Sequence, residues 1–220
     1  MQLTIFNGSP KGKKSNTSVL VEHFLKGFME TEGNSYELEY IVDNKDEGKL
    51  VDMFKDASHV ILAFPLYIDC MPGIVKSFIE SLRPLCGKQD NPSIGFMVQG
   101  GFPEAYHSRF VERYLKKLAG RLNCHYAGCI IRGGFEATPS MPRFVTRKIF
   151  NRIYELGKAY GKAGKFDGQL INKLSKPELL SALRKVFFKI GLSLGLPNIY
   201  WDKKLKANNA FEKRFDRPFA

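Results

Sequence analysis

At 220 residues and 44% hydrophobic content, the chain is long enough to bury one full domain core plus a modest extension. Its net charge of +12 is spread rather than gathered, with 11 Lys and Arg against 5 Asp and Glu in residues 166–220, and no recognition-helix or RNA-binding signature accompanies it, so nucleic acid is not expected as a partner. No apolar run of about 18 residues predicts a transmembrane segment, Met1 leads straight into a strand without a signal peptide, and four cysteines lacking any Cys-x-x-Cys pair fit neither a zinc site nor a disulfide framework; a cytoplasmic protein with free thiols is expected.

The first strand is Leu3–Phe6, and the loop after it reads Gly8-Ser9-Pro10-Lys11-Gly12-Lys13-Lys14-Ser15-Asn16-Thr17. Gly8 permits a turn, and Asn16-Thr17 suits a helix start, with Val19, Leu20 and Phe24 as the apolar stripe behind it. A helix start offers unpaired N–H groups and a positive dipole end, which together hold an anion. The nucleoside-triphosphate loop fails here, because Lys13 stands where its second glycine belongs. The dinucleotide fingerprint fails as well, because Pro10 stands where its second glycine belongs. What remains is a hydroxyl-rich loop suited to a single phosphate.

A helix over 17–30 leads to a second strand, Tyr36–Val42, and a helix over 49–55 leads to a third, Val60–Phe64. The loop Pro65-Leu66-Tyr67-Ile68-Asp69-Cys70-Met71-Pro72 then opens a helix over 73–83. A fourth strand, Ile94–Val98, is followed by Gln99-Gly100-Gly101-Phe102-Pro103-Glu104 and a helix over 105–122. A fifth strand, Tyr126–Ile131, precedes a helix over 144–162. Near-continuous apolar runs in the third and fourth strands mark parallel strands buried on both faces. The alternation predicts an α/β doubly wound sheet of five parallel strands, in the order 2-1-3-4-5, with its ligand at the switch point between strands 1 and 3. Three loops rich in Gly, Pro and aromatics then share one edge, which suits a flat ring with a phosphate tail.

Residues 1–165 form the predicted domain, and residues 166–220 a C-terminal helical extension. Gly164 and Gly168 flank a polar hinge, and Pro177 opens an amphipathic helix bearing Leu179, Leu180, Leu183, Val186, Phe187, Ile190 and Leu194, with Arg184, Lys185 and Lys189 towards its other side. Gly195-Leu196-Pro197 ends that helix, and Tyr200-Trp201-Asp202 lies in a polar, aromatic remainder that packs on the domain or a partner subunit. His107 and His125 stand alone, without metal or triad spacing, and no Gly-x-Ser-x-Gly elbow surrounds Ser9.

Three segments together resemble the NADPH-dependent FMN reductase family, the flavodoxin-like NAD(P)H oxidoreductases. They are Gly8-Ser9-Pro10-Lys11 with Ser15-Asn16-Thr17, then Pro65-Leu66-Tyr67 with Pro72-Gly73, Lys76 and Phe78-Ile79-Glu80, and finally Gly100-Gly101-Phe102-Pro103-Glu104. The resemblance covers about residues 1–165 and implies FMN held without a covalent bond, with NADPH or NADH as co-substrate. By position, Ser9, Lys11, Ser15, Asn16 and Thr17 would hold the phosphate. Pro65, Leu66, Tyr67 and Ile68 would line the ring, Tyr67 as its gate, while Gly100 and Gly101 approach the pyrimidine edge. No catalytic side chain or metal is expected, because the flavin carries the chemistry. The iron–sulfur cluster of one family branch is not expected, since only Cys70 occupies the equivalent region. The expected activity passes electrons from a nicotinamide through FMN to a quinone, nitro or azo compound, flavin or protein acceptor, in a homodimer. The alternatives are a flavodoxin-type electron carrier without reductase activity, and a binding or membrane-surface protein that uses the basic tail.

Overall fold

The structure, a computed structural model, describes residues 1–44 and 46–217. The chain divides into two units between Leu179 and Leu180.

The first unit is built on β1 (Gln2–Asn7), β2 (Ser35–Tyr40), β3 (His59–Pro65), β4 (Ser93–Gln99) and β5 (Tyr126–Arg132). They pair in parallel as one sheet in the order β2-β1-β3-β4-β5, as the alternation of strands and helices predicts. β3 and β4 are buried at every residue after the first, which the apolar runs Val60–Phe64 and Ile94–Val98 require. Gln99 pairs with both Pro65 and Arg132, so β3, β4 and β5 end level and their loops leave from one edge.

Helices cover both faces of the sheet. α1 (Asn16–Phe28) and α5 (Arg143–Ala163) bury Leu20, Phe24, Phe28, Ile153, Leu156 and Tyr160 on one face. α2 (Glu47–Asp56), α3 (Gly73–Ser81) and α4 (Arg109–Arg121) bury Leu50, Phe54, Val75, Phe78 and Leu115 on the other. α1 and α5 meet backbone to backbone. A Cβ on Gly27 would lie 1.9 Å from the Tyr154 carbonyl oxygen, and one on Gly157 would lie 1.9 Å from that of Phe24.

The stretch between Gly164 and the tail is no hinge. It contains α6 (Gly168–Leu174), N-capped by Asp167, whose Oδ1 accepts from the Leu170 N–H at 2.9 Å. Phe166 supplies the reason: it is buried over the sheet, 2.7 Å from where a Cβ on Gly95 would stand and 3.3 Å from one on Gly128. Leu174 is buried in the same layer, so the first unit runs past residue 165. Pro177 opens no helix either. Its carbonyl accepts from the Ala105 N–H (3.0 Å), and the Glu178 carboxylate takes both Nε (2.9 Å) and Nη2 (2.6 Å) of Arg109. The second unit holds α7 (Ala182–Ser193), N-capped by Ser181, and α8 (Leu196–Ala207). α8 falls where the sequence pattern shows only a polar remainder; Gly195, at φ +68°, is its N-cap.

Candidate functional site

β1 buries Leu3, Ile5 and Phe6 and ends on Asn7, a buried polar residue that organises the loop after it. Its Oδ1 accepts from the Ser9 N–H (3.0 Å), and its Nδ2 donates to Ser18 Oγ (3.0 Å) on α1. The loop's left-handed residue is Gly12, at φ +52°, rather than Gly8. Gly8 is required for a different reason: a Cβ there would stand 2.2 Å from Val75 Cγ2 on α3.

Hydrogen bonding decides what this loop can offer an anion. Ser15 N-caps α1, its Oγ accepting from the Ser18 N–H at 3.1 Å. Ser18 Oγ donates to the Gly12 carbonyl (3.0 Å), so Ser15 is the donor in the 3.0 Å Ser15–Ser18 pair. The Ser15 hydroxyl is therefore committed within the loop. Ser9 and Thr17 differ. Ser9 Oγ accepts from the Lys11 N–H (3.4 Å) and Thr17 Oγ1 from Gln99 Nε2 (3.3 Å), so each retains its own proton to donate. The N–H groups of Asn16 and Thr17 precede the intrahelical ladder, and Lys11, Lys13 and Lys14 are exposed in the loop just before them, Lys13 with its Nζ 5.8 Å from the Tyr40 ring. Hydroxyl protons, helix amides and ammonium groups at the positive end of a helix dipole fit a phosphate monoester.

One carboxylate borders the set. Asn16 Nδ2 donates to the Glu136 carbonyl (2.9 Å) and reaches its Oε2 at 3.4 Å, which ties the loop after β5 to the start of α1. Glu136 also bears on Tyr67, whose phenol is pushed up by burial first and by the Glu136 charge second, so it stays protonated.

β3 ends on the buried Pro65, and the Leu66 N–H after it donates to the Gln99 carbonyl (2.7 Å). Tyr67 and Cys70 then exchange N–H to carbonyl bonds of 2.8 and 3.1 Å, closing a two-residue turn. Its central residues, Ile68 and Asp69, have φ of +47° and +62°. A β-branched residue there is strained, and Ile68 is 92% exposed.

After β4, the Gly100 N–H donates to Arg132 (3.0 Å), and the Gly100 and Phe102 carbonyls accept from Phe135 (2.9 Å) and Gly134 (2.7 Å). The loops after β4 and β5 are thus stitched together. Among the described residues, the Gly101 N–H has no backbone partner. A Cβ on Gly101 would stand 3.8 Å from Glu136 Cβ, and one on Gly100 would stand 3.8 Å from Leu66 Cβ. Glu136 therefore links the Ser9–Thr17 loop, Tyr67 and Gly101, while Gly100 meets Leu66. Ile68 stands outermost.

Sequence reasoning missed Asn7, Ser18, Gln99 and Glu136. A polar residue ending an apolar strand was the available signal for Asn7 and Gln99, while nothing local marked Glu136. Elsewhere, a cleft of about 510 Å³ beside the edge strand β2 is lined by Glu37, Asp46, Asp52 and Asp56 against Lys49, a charge that repels phosphate.

No sequence family and no curated protein matches the chain. Solved structures do. An FMN-dependent NADH-azoreductase from Bacillus anthracis in complex with FMN superposes at TM-score 0.58 and 14% identity, over 73% of this chain and 100% of the other. An NADH:FMN oxidoreductase in its apo form gives 0.55 and 17%, over 80% and 96%. An NADPH-quinone reductase from P. pentosaceus gives 0.54 and 14%, over 70% and 96%. At these identities the likeness is one of fold, and the chain has the flavodoxin-like doubly wound fold.

Proposed function

We propose that the chain binds FMN at the carboxyl edge of its sheet and is an NAD(P)H-dependent oxidoreductase that passes electrons to a quinone, azo or nitro compound, flavin or protein acceptor. One observation carries the reading: Ser9 and Thr17, both buried, retain hydroxyl protons beside the first-turn amides of α1, on the sheet edge that also carries Tyr67 and Gly101. The neighbours in fold, an azoreductase, a quinone reductase and an NADH:FMN oxidoreductase, support it.

In this reading Ser9, Thr17, the Asn16 and Thr17 amides and Lys11 hold the phosphate, and Ser15 fixes the helix start that presents those amides. Pro65, Leu66, Tyr67 and Ile68 line the ring, and Gly100 and Gly101 approach its pyrimidine edge. The Gly101 amide is the donor available to negative charge there. Tyr67, kept protonated, donates rather than repels. The chemistry that FMN supplies when bound is hydride acceptance from a nicotinamide and onward delivery of electrons. Four free cysteines suit a cytoplasmic setting. The exposed aromatics Phe102, Tyr106, Phe110 and Tyr114 support a homodimer, which sedimentation tests.

Fluorescence titration of FMN with the protein is expected to show saturable quenching. Rapid mixing of the yellow protein with NADPH and with NADH is expected to bleach it, and steady-state rates are expected to give parallel lines in double-reciprocal plots. Retained FMN that neither nicotinamide reduces would make the protein an electron carrier. No association with FMN would remove the reading altogether.

A further inference from the structure

The second unit shows apolar side chains that nothing within it covers. On α7 and its C-cap, Leu183, Phe187, Ile190 and Leu194 recur at helical spacing along one stripe with Val186 beside it, and all five are between 47% and 70% exposed; Phe188 and Leu192 add exposed apolar surface off that stripe. No residue of α7 is buried. Arg184, Lys185 and Lys189 fall off that stripe. On α8, Ile199 and Trp201 are 68% and 56% exposed. Residues 180–217 carry nine Lys and Arg against three Asp and Glu. On α8 and in the segment after it, cations lie over rings: Lys204 is 5.7 Å from the Tyr200 ring, Lys206 4.6 Å from Phe211, and Arg214 3.9 Å from Phe211 and 4.8 Å from Phe215.

We infer that this unit docks on the surface of an anionic lipid bilayer, with the α7 stripe in the acyl boundary and the Lys and Arg heads among the phosphates. Charge selects this occupant. A second copy would set one cationic unit against another, with only Asp202, Glu212 and Asp216 to offset it. An anionic bilayer supplies hydrocarbon for the stripe and negative charge for its flanks together. Long basic side chains lay their stems on apolar surface and keep their heads at the phosphate level, and Trp and Tyr favour the same depth. The binding is to the surface rather than across it: α7 has 12 residues, and no helix among the described residues is long and apolar enough to cross a membrane. The inference is independent of the flavin reading, since no residue of the proposed flavin site takes part.

The chain's single tryptophan, Trp201, lies in this unit, so intrinsic tryptophan emission reports on it alone. The full-length protein, with and without added FMN, is mixed with vesicles containing about one-third phosphatidylglycerol in phosphatidylcholine, and with pure phosphatidylcholine vesicles. The expected result is a blue shift of Trp201 emission and co-sedimentation with the anionic vesicles, at least ~10-fold weaker on neutral vesicles and when salt rises from ~0.1 to ~0.5 M. The variant Arg184→Glu/Lys185→Glu/Lys189→Glu is expected to lose binding, and so is Leu183→Glu/Phe187→Glu. These positions are exposed, and circular dichroism checks that both variants fold. Equal binding to neutral vesicles, or binding that survives the triple charge reversal, would overturn the inference. So would absence of binding to the anionic vesicles; a dimer that Leu183→Glu/Phe187→Glu dissociates would then assign the stripe to a second copy. FMN binding is scored separately on the same samples, so either proposal can fail without the other.

Discussion

Gln99 Nε2 donates to Thr17 Oγ1 at 3.3 Å, joining the last residue of β4 to the first turn of α1 across 82 positions of sequence. Both residues are buried. The bond occupies a lone pair of the hydroxyl and leaves its proton directed elsewhere, so one contact both braces the loop and preserves a donor.

Thr17→Val removes that hydroxyl and strands the Gln99 amide in a buried position. Stability is expected to fall by about 1–3 kcal/mol, the usual penalty for a buried donor without an acceptor. Thr17→Ser restores the oxygen and is expected to recover most of the loss. Denaturant unfolding reads the stability. FMN titration is expected to show at least ~10-fold weaker binding for the valine variant, in line with loss of a hydrogen bond to a charged group. Unchanged affinity in a folded valine variant would remove Thr17 from the phosphate site.

Glu136→Gln keeps the backbone carbonyl that accepts from Asn16 but removes a negative charge beside the proposed phosphate. Binding of FMN is expected to tighten by a few-fold, on the order of 1 kcal/mol for a partly solvated charge pair. The gain is expected to shrink as salt rises. Looser binding would mean that the carboxylate itself holds a donor of the ligand.

The Ile68-Asp69 turn has left-handed backbone at both central positions, where Asn-Gly is favoured. Ile68→Asn/Asp69→Gly is expected to stabilise the protein by roughly 1–2 kcal/mol, the cost of one non-glycine residue in that conformation. Thermal melting measures it. If Ile68 lines the ring, the stabilised variant is expected to show altered KM for the acceptor, separating the loop's function from its strain.

Acid is expected to weaken the fold in a defined window. Burial is the main cause holding both His23 and His59 below the ordinary imidazole value of 6.5. The Lys26 charge adds to the effect at His23 against an opposing pull from Glu22, and at His59 the N-terminus and His125 add to it. Below pH 6.5 the unfolded chain therefore binds more protons than the native one, so stability present above that pH is lost as pH falls. Melting temperatures are expected to drop between about pH 7.5 and pH 5. His23→Gln/His59→Gln is expected to flatten that slope even where it lowers the melting temperature, since His23 stacks on Phe150 with centroids 4.0 Å apart.

Short-range pattern carried much of this molecule. Strand-like runs alternating with helical stripes determined the five parallel strands and their flanking helices, most firmly at β3 and β4, because a strand buried on both faces has no polar alternative. The loop chemistry of Ser9–Thr17 was legible for the same reason: a helix start and its hydroxyls are neighbours in sequence. Tertiary structure decided what depends on neighbours far along the chain. Gln99 and Glu136 reach the first loop only because the sheet order sets β4 and β5 beyond β3, and a polar side chain in a loop carries no local sign of what it will meet. Ser15 turned inward because Ser18 and Gly12 were there to receive it. α6 exists because Gly95 and Gly128 leave room on the sheet for Phe166, a vacancy that no helical period records.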